Sequence, residues 1–369
     1  MVNKHRLGEP LPQRIAIVRS LPGLGDLLCA VPAWRSLRAA LPQAQITLIG
    51  LPWARIFVER YAAYLDNFLE FPGYPGIPEV SPPPLLKIPA FFTSVQQQRF
   101  DLALQMHGSG IVSNPFTVLL GASVNAGFYL PGQYCPDADR FLPYPAQEPE
   151  VWRHLRLMEF LGIPLLGTFL EFPLREEDFC ELHAIDEVRD LGEYVCVHPG
   201  ASVPERRWPK ELFAVVADAL AASGYQVVLT GTAKEAELTQ AVQESMRTSA
   251  IDLAGRTSLG AIAALLSKAR LLVCNDTGIS HLAAALEVKS VVIFSASDPN
   301  RWAPLERDRH RILVSGCRGG FNRSDCETTD KFVKPAPTVE EHEITPAEVM
   351  TQVEDLLSKK VKLCDHYVS

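Results

Sequence analysis

Residues 14–41 read RIAIVRSLPGLGDLLCAVPAWRSLRAAL. The segment opens on a short apolar run of buried-strand type, RIAIV, and passes through Gly23 and Gly25. It then places Leu27, Ala30, Val31, Trp34, Leu37 and Leu41 at roughly helical spacing. This pattern predicts a strand, a tight glycine turn and a helix over residues 26–41, irregular in its first turn because Pro32 sits early in it. A glycine turn between strand and helix ordinarily offers bare N–H groups and a helix N-terminus to an anion. Here Asp26 follows the glycines, and a carboxylate repels phosphate. The glycines alone are explained by a tight turn; the aspartate is not. Further apolar runs follow at 45–50 (QITLIG) and 101–107 (DLALQMH). Strand and helix signals in alternation imply a parallel sheet covered by helices.

The alternation stops in the charged segment 165–193 and then restarts. Strands are expected at 194–198, 225–231, 270–275 and 290–295, with helices at 209–224, 258–269 and 279–287 between them. This places one α/β domain over 1–175 and a second over 190–344 in a chain of 369 residues. Thr345, Pro346 and Glu348 are in capping-box positions for a last helix near 345–360, striped by Val349, Val353, Leu356 and Leu357. The proline-dense stretch 71–92 is expected as an extended surface loop, either a lid or a rigid connector.

Bulk properties exclude several classes. A net charge of −8 and a pI near 5.7 argue against a general nucleic-acid binder. There is no signal-type N-terminus and no bilayer-length apolar run, so the expected location is the cytoplasm, with peripheral contact at the inner membrane face allowed. Cys29, Cys196 and Cys274 lie in apolar runs and read as core residues. Cys317 and Cys326 read as two separate loop thiols, with a metal or redox pair as the alternative.

Ligands of open α/β sheets bind beyond the strand C-termini. In the second domain Asp276, Thr277 and Gly278 follow a strand and open a helix that carries His281. Taken alone, this is better explained by capping than by an anion site. Arg206 and Arg207 precede another helix, as phosphate donors or as an ordinary solvated charge pair, and Glu235 follows another strand, as a ligand for ribose hydroxyls or, taken alone, as an exposed helix carboxylate. Their shared position at strand ends favours a nucleotide site. A nicotinamide or flavin site is disfavoured: Leu28 stands where a third glycine belongs, and the next strand ends without an acid. Asp137 and Asp139 form a D-x-D string outside that domain, and metal binding is not expected there.

Three ordered stretches, RIAIVRSLPGLGDLLCAVPAWRSLRAALPQAQITLIG, VCVHPGASVPERRWPKELFAVVADAL and DLAGRTSLGAIAALLSKARLLVCNDTGISHLAAAL with SASDPNRWAPL, resemble glycosyltransferase family 9, which includes the lipopolysaccharide heptosyltransferases. The resemblance implies a GT-B fold, two Rossmann-like domains facing a cleft, with the last helix packing back on the first. It implies that Asp26 is the general base of an inverting, metal-independent transfer, with Gly23 and Gly25 shaping its loop. It places Arg206, Asp276, Thr277, Gly278 and His281 at the donor phosphates and Glu235 at the ribose. The nucleotide-sugar, ADP-heptose in the best-known members, is a substrate, and no cofactor or metal is expected. The implied acceptor is an envelope glycolipid or lipopolysaccharide core. The alternatives are another polysaccharide, small-molecule or protein acceptor, or a nucleotide-sugar-binding protein without turnover. Two departures stand out: PGLGD replaces the family's usual SSLGD, and Arg206 stands where lysine is usual.

Overall fold

The computed structural model describes residues 4–316 and 343–358. Cys317 and Cys326 lie outside the described residues. The chain divides into two compact units, Met1–Pro173 and Leu174–Ser369.

The first unit is built on six strands, β1 Arg14–Val18, β2 Gln45–Gly50, β3 Asn67–Glu70, β4 Leu102–Gln105, β5 Val124–Tyr129 and β6 Phe141–Pro143. They pair in parallel in the order β3-β2-β1-β4-β5-β6. The second unit repeats the plan with β7 Tyr194–His198, β8 Gln226–Leu229, β9 Ile251–Asp252, β10 Leu272–Asn275, β11 Ser290–Phe294 and β12 His310–Val314. Their order is β12-β11-β10-β7-β8-β9, again all parallel. Each is the doubly wound Rossmann order, in which the winding reverses beside the first strand. The reversal lies between β1 and β4 in one unit and between β7 and β10 in the other. Strands covered on both faces read as unbroken apolar runs. Accordingly Ile15, Ala16, Ile17 and Val18 are fully buried, as are Val195, Cys196 and Val197.

Three expectations are corrected. The single helix over 26–41 is two, Leu24–Leu28 and Val31–Ala40, because Pro32 lies in the first turn of the second and the chain breaks before it. The proline stretch is not simply an extended loop. It includes a short 3-10 turn, Leu85–Lys87, and a helix, Ile88–Gln97, whose first turn holds Pro89. Phe71 and Ile77 are buried in the first unit's core, and Tyr74, Val80, Phe91 and Phe92 pack against it. Finally, the last helix, Pro346–Ser358, buries Val349, Val353 and Leu356 in the core of the second unit, not the first. Trp208 Nε1 donates to the Ile344 carbonyl and Lys289 Nζ to that of Leu356, tying both ends of this segment to the second sheet. Its cap forms as the sequence suggests: Glu348 Oε2 accepts from the Thr345 N–H, and Thr345 Oγ1 accepts from the Glu348 N–H.

Candidate functional site: two switch points

In the first unit, Asp26 follows β1 on the helix Leu24–Leu28, and its Oδ2 accepts the Gly23 N–H at 3.2 Å. A Cβ on Gly23 would lie 2.5 Å from that oxygen, so a side chain at position 23 would displace the carboxylate. The first glycine of the turn is there for close approach; its φ of −86° is open to any residue.

The peptide of Asp26 is held from below by Arg19, one residue past β1. Its Nε and Nη2 donate to the Asp26 carbonyl at 2.9 and 2.6 Å, and its Nη1 donates to the Met106 carbonyl at 2.6 Å. Arg19 is 1% exposed, and its countercharge is Glu150, 3.2 Å away on the helix Glu150–Phe160. Glu150 also takes Arg153 and His154. Burial opposes its charge, but His154, Arg19 and Arg153 prevail and hold its carboxyl well below the ordinary range.

Across the reversal, His107 follows β4. The Ser20 N–H donates to its Nδ1 at 3.3 Å, and Ser20 Oγ lies 3.1 Å from the same atom. Ser113 Oγ and Gln105 Nε2 donate to its carbonyl, fixing its backbone. Burial and the nearby Arg19 charge pull its pKa to about 4, so the ring is neutral at physiological pH. His154 is likewise drawn to about 4, with burial the largest cause. An unfolded chain begins to protonate both rings near 6.5, before the folded protein does, so stability is full above that pH and is lost as the pH falls towards 4. Urea midpoints measured across this window are expected to fall steadily with acidification; a flat profile would contradict two buried neutral histidines.

The second unit carries the nucleotide-site candidates at its own reversal. Arg206 ends a 3-10 turn after β7, and its Nη1 lies 3.8 Å from Asp276 Oδ2, just past β10. Asp276 is buried, and Ser297 Oγ, past β11, donates to its Oδ2 at 2.5 Å. Asn275 locks the neighbouring loop: its Nδ2 donates to the Pro199 carbonyl, and its Oδ1 accepts the Trp208 N–H. Thr277 is the N-cap residue of the helix Gly278–Ala285 but makes no side-chain cap bond, and Asp276 is occupied with Ser297 and Arg206. Simple capping by either side chain therefore does not account for the segment. His281 is buried on that helix, edge-on to Trp302 with ring centroids 6.1 Å apart.

Glu235 closes the turn after β8, where its Oε2 accepts from Thr232 N–H and Oγ1–H, each at 2.8 Å. A Cβ on Gly200 would lie 2.3 Å from Glu235 Oε1, so this glycine too makes room for a carboxylate. His198 ends β7 and meets Thr230 Oγ1 at 3.0 Å; burial lowers its pKa against the opposing pull of Glu235.

The candidates taken from the sequence, Asp26, Arg206, Glu235 and the Asp276–His281 segment, all lie just past strand ends. Not among them are Arg19, Glu79, His107, Glu150, His198 and Ser297. Of these, Arg19, His107 and His198 carried a signal, a polar residue at the end of an apolar strand run. Asp137, the other acidic candidate, pairs with Arg140 and accepts the Asp139 N–H, so it closes its own turn. Among the described residues, no group of three or more His, Cys, Asp or Glu is placed to hold a metal ion, and no helix is long and apolar enough to cross a membrane.

The model of glycosyltransferase family 9 (heptosyltransferase) matches residues 88–327, more than half of the chain. The chain belongs to glycosyltransferase family 9. As a family 9 protein it is a glycosyltransferase, and its paired Rossmann-order sheets are the GT-B fold. The chain is 26% identical to lipopolysaccharide heptosyltransferase 2 of Escherichia coli K12 over 335 residues, 84% of this chain and 93% of that protein. A family 9 glycosyl transferase from Veillonella parvula superposes with a TM-score of 0.73 at 22% identity, covering 94% of this chain and 97% of that one. The E. coli ADP-heptose lps heptosyltransferase II superposes with a TM-score of 0.71 at 23% identity, covering 93% and 98%.

Proposed function

We propose that this family 9 enzyme is an inverting, metal-independent heptosyltransferase, taking heptose from ADP-heptose to a lipopolysaccharide-core acceptor with Asp26 as general base. The observation that carries the reading is the pair of carboxylates lying over glycines at the two sheet reversals, Asp26 over Gly23 and Glu235 over Gly200. A carboxylate suits the proton of an acceptor hydroxyl at the first, and ribose hydroxyls at the second.

In the proposed step, Asp26 takes the proton of the acceptor hydroxyl as its oxygen attacks the anomeric carbon. The new C–O bond forms as the bond to the nucleoside diphosphate breaks, and the centre inverts. Negative charge develops on the leaving phosphate. Arg206, the N-terminal N–H groups at Thr277 and Gly278, and His281 are the proposed donors that meet it. Arg206 Nη1 lies 3.8 Å from Asp276 Oδ2, which keeps the arginine at the strand end. The proposed setting is the cytoplasmic face of the inner membrane. Leu86, 97% exposed, and Leu85 next to it offer an apolar tip for peripheral contact with a lipid-linked acceptor.

Calorimetric titration with a panel of nucleoside diphosphates, with and without magnesium, tests this directly. ADP is expected to bind selectively and to the same extent in both conditions. Preference for another base would remove ADP-heptose as donor, and binding only with magnesium would remove the metal-free mechanism.

A further inference from the structure

Glu79 lies in the proline-dense stretch of the first unit, and the transfer step described above gives it no task. Its side chain is 11% exposed, and its Oε1 is 3.6 Å from His107 Nε2. That separation is too long for a hydrogen bond. Nor is it an ion pair, because the His107 ring is neutral. Oε2 is buried with no hydrogen-bond partner among the described residues. The carboxyl does take a hydrogen bond from its own backbone N–H, but a buried carboxyl oxygen left unsatisfied is costly, and such an atom in a native protein calls for an explanation. Burial raises its pKa against the hydrogen bond from its own backbone N–H, and the charge of Asp26 adds to the rise, which also places Glu79 within the electrostatic reach of the proposed base.

The ring beside it has a defined polarity. Because the Ser20 N–H donates to Nδ1, that nitrogen accepts, and the single proton of the neutral ring is on Nε2, facing Glu79. The pair therefore offers one N–H donor and one carboxyl acceptor, 3.6 Å apart at their nearest atoms. A group satisfying both must accept and donate at once, and an alcohol hydroxyl does so. A phosphate would suit the N–H but would meet two carboxyl groups, Asp26 and Glu79.

We propose that Glu79 and His107 form a subsite for a second, non-reacting sugar hydroxyl of the acceptor, beside the hydroxyl presented to Asp26. This deepens the transfer reading and rests on it. The subsite selects an acceptor sugar that carries a free hydroxyl next to its reacting one. It also gives the proline-dense stretch a function: its buried anchors, Phe71 and Ile77, hold the segment that carries Glu79 against the strand ends.

The test uses a soluble heptose-terminated core oligosaccharide, titrated into the full chain saturated with ADP, with turnover on ADP-heptose measured in parallel. Glu79→Ala is expected to weaken oligosaccharide binding about 10- to 100-fold and Glu79→Gln less, while ADP affinity stays the same. An oligosaccharide deoxygenated beside its reacting hydroxyl should show the same loss on the unmodified protein, and no further loss on Glu79→Ala. This arm needs no variant to fold. Equal oligosaccharide affinity in all three proteins, or full affinity for the deoxygenated ligand, overturns the subsite. So does failure of the oligosaccharide to bind the unmodified protein. If it binds in a Glu79-dependent way but is not glycosylated, the subsite stands and the transfer reading falls.

Discussion

Asp26→Asn is expected to lower transfer by roughly 10²- to 10⁴-fold, the usual contribution of a positioned general base. The amide oxygen can still accept the Gly23 N–H that Asp26 Oδ2 now accepts at 3.2 Å, so the turn keeps its cap while losing its basicity. Alanine is a less informative replacement, because it also removes the side chain that accepts the N-cap backbone N–H of Gly23. Nucleotide binding should be untouched: the residues proposed for it, Arg206, Glu235, Asp276, Thr277, Gly278 and His281, all belong to the second unit. The checking measurements are the turnover rate and the ADP affinity of the same preparation. Full turnover by the asparagine variant would remove Asp26 from proton transfer.

Glu150→Ala should be the most destabilising single change near the site, by about 3–5 kcal/mol, because it strands Arg19 and Arg153 without a countercharge. Both arginines are 1% exposed, so neither can recover the loss by hydration in place. For a unit of this size the thermal midpoint should fall by roughly 10 °C or more. Activity should fall further than stability alone requires, because Arg19 then lacks the anchor that aims it at the Asp26 carbonyl. The pH dependence has a defined sign. The folded pKa of Glu150 is depressed, so its contribution is complete above the ordinary value of 4.5 and is lost as the pH falls through the lower, folded value. The stability gap between wild type and variant should therefore shrink in acid. A midpoint unchanged by the substitution would mean that the cluster gives little net stabilisation.

The strands were legible where burial on both faces leaves an unbroken apolar run, as in RIAIV and YVCVH. The helix break at Cys29–Ala30 was not, because apolar spacing from Leu27 to Leu41 continues in phase across it. The stripe on the last helix showed that it docks but not where, since Val349, Val353 and Leu356 suit either sheet. Site residues beside glycines at strand ends could be read because local chain geometry puts them there. Partners brought in from far along the chain could not. Arg206 meets Asp276 across three intervening strands of sequence, and Glu79 reaches His107 from a proline-dense stretch in which it is the one acid.

Arg19 and Glu150 are 131 residues apart in sequence. A chain leaving the ribosome therefore presents β1, the glycine turn and Asp26 long before it presents the carboxylate that neutralises Arg19. Until then the guanidinium belongs in water, and the strand beside it cannot settle between β2 and β4. The central strand of the first sheet, made early, is locked in place only when the unit's last long helix has been synthesised. Nascent chains halted before residue 150 should hold this region open and exposed to proteases.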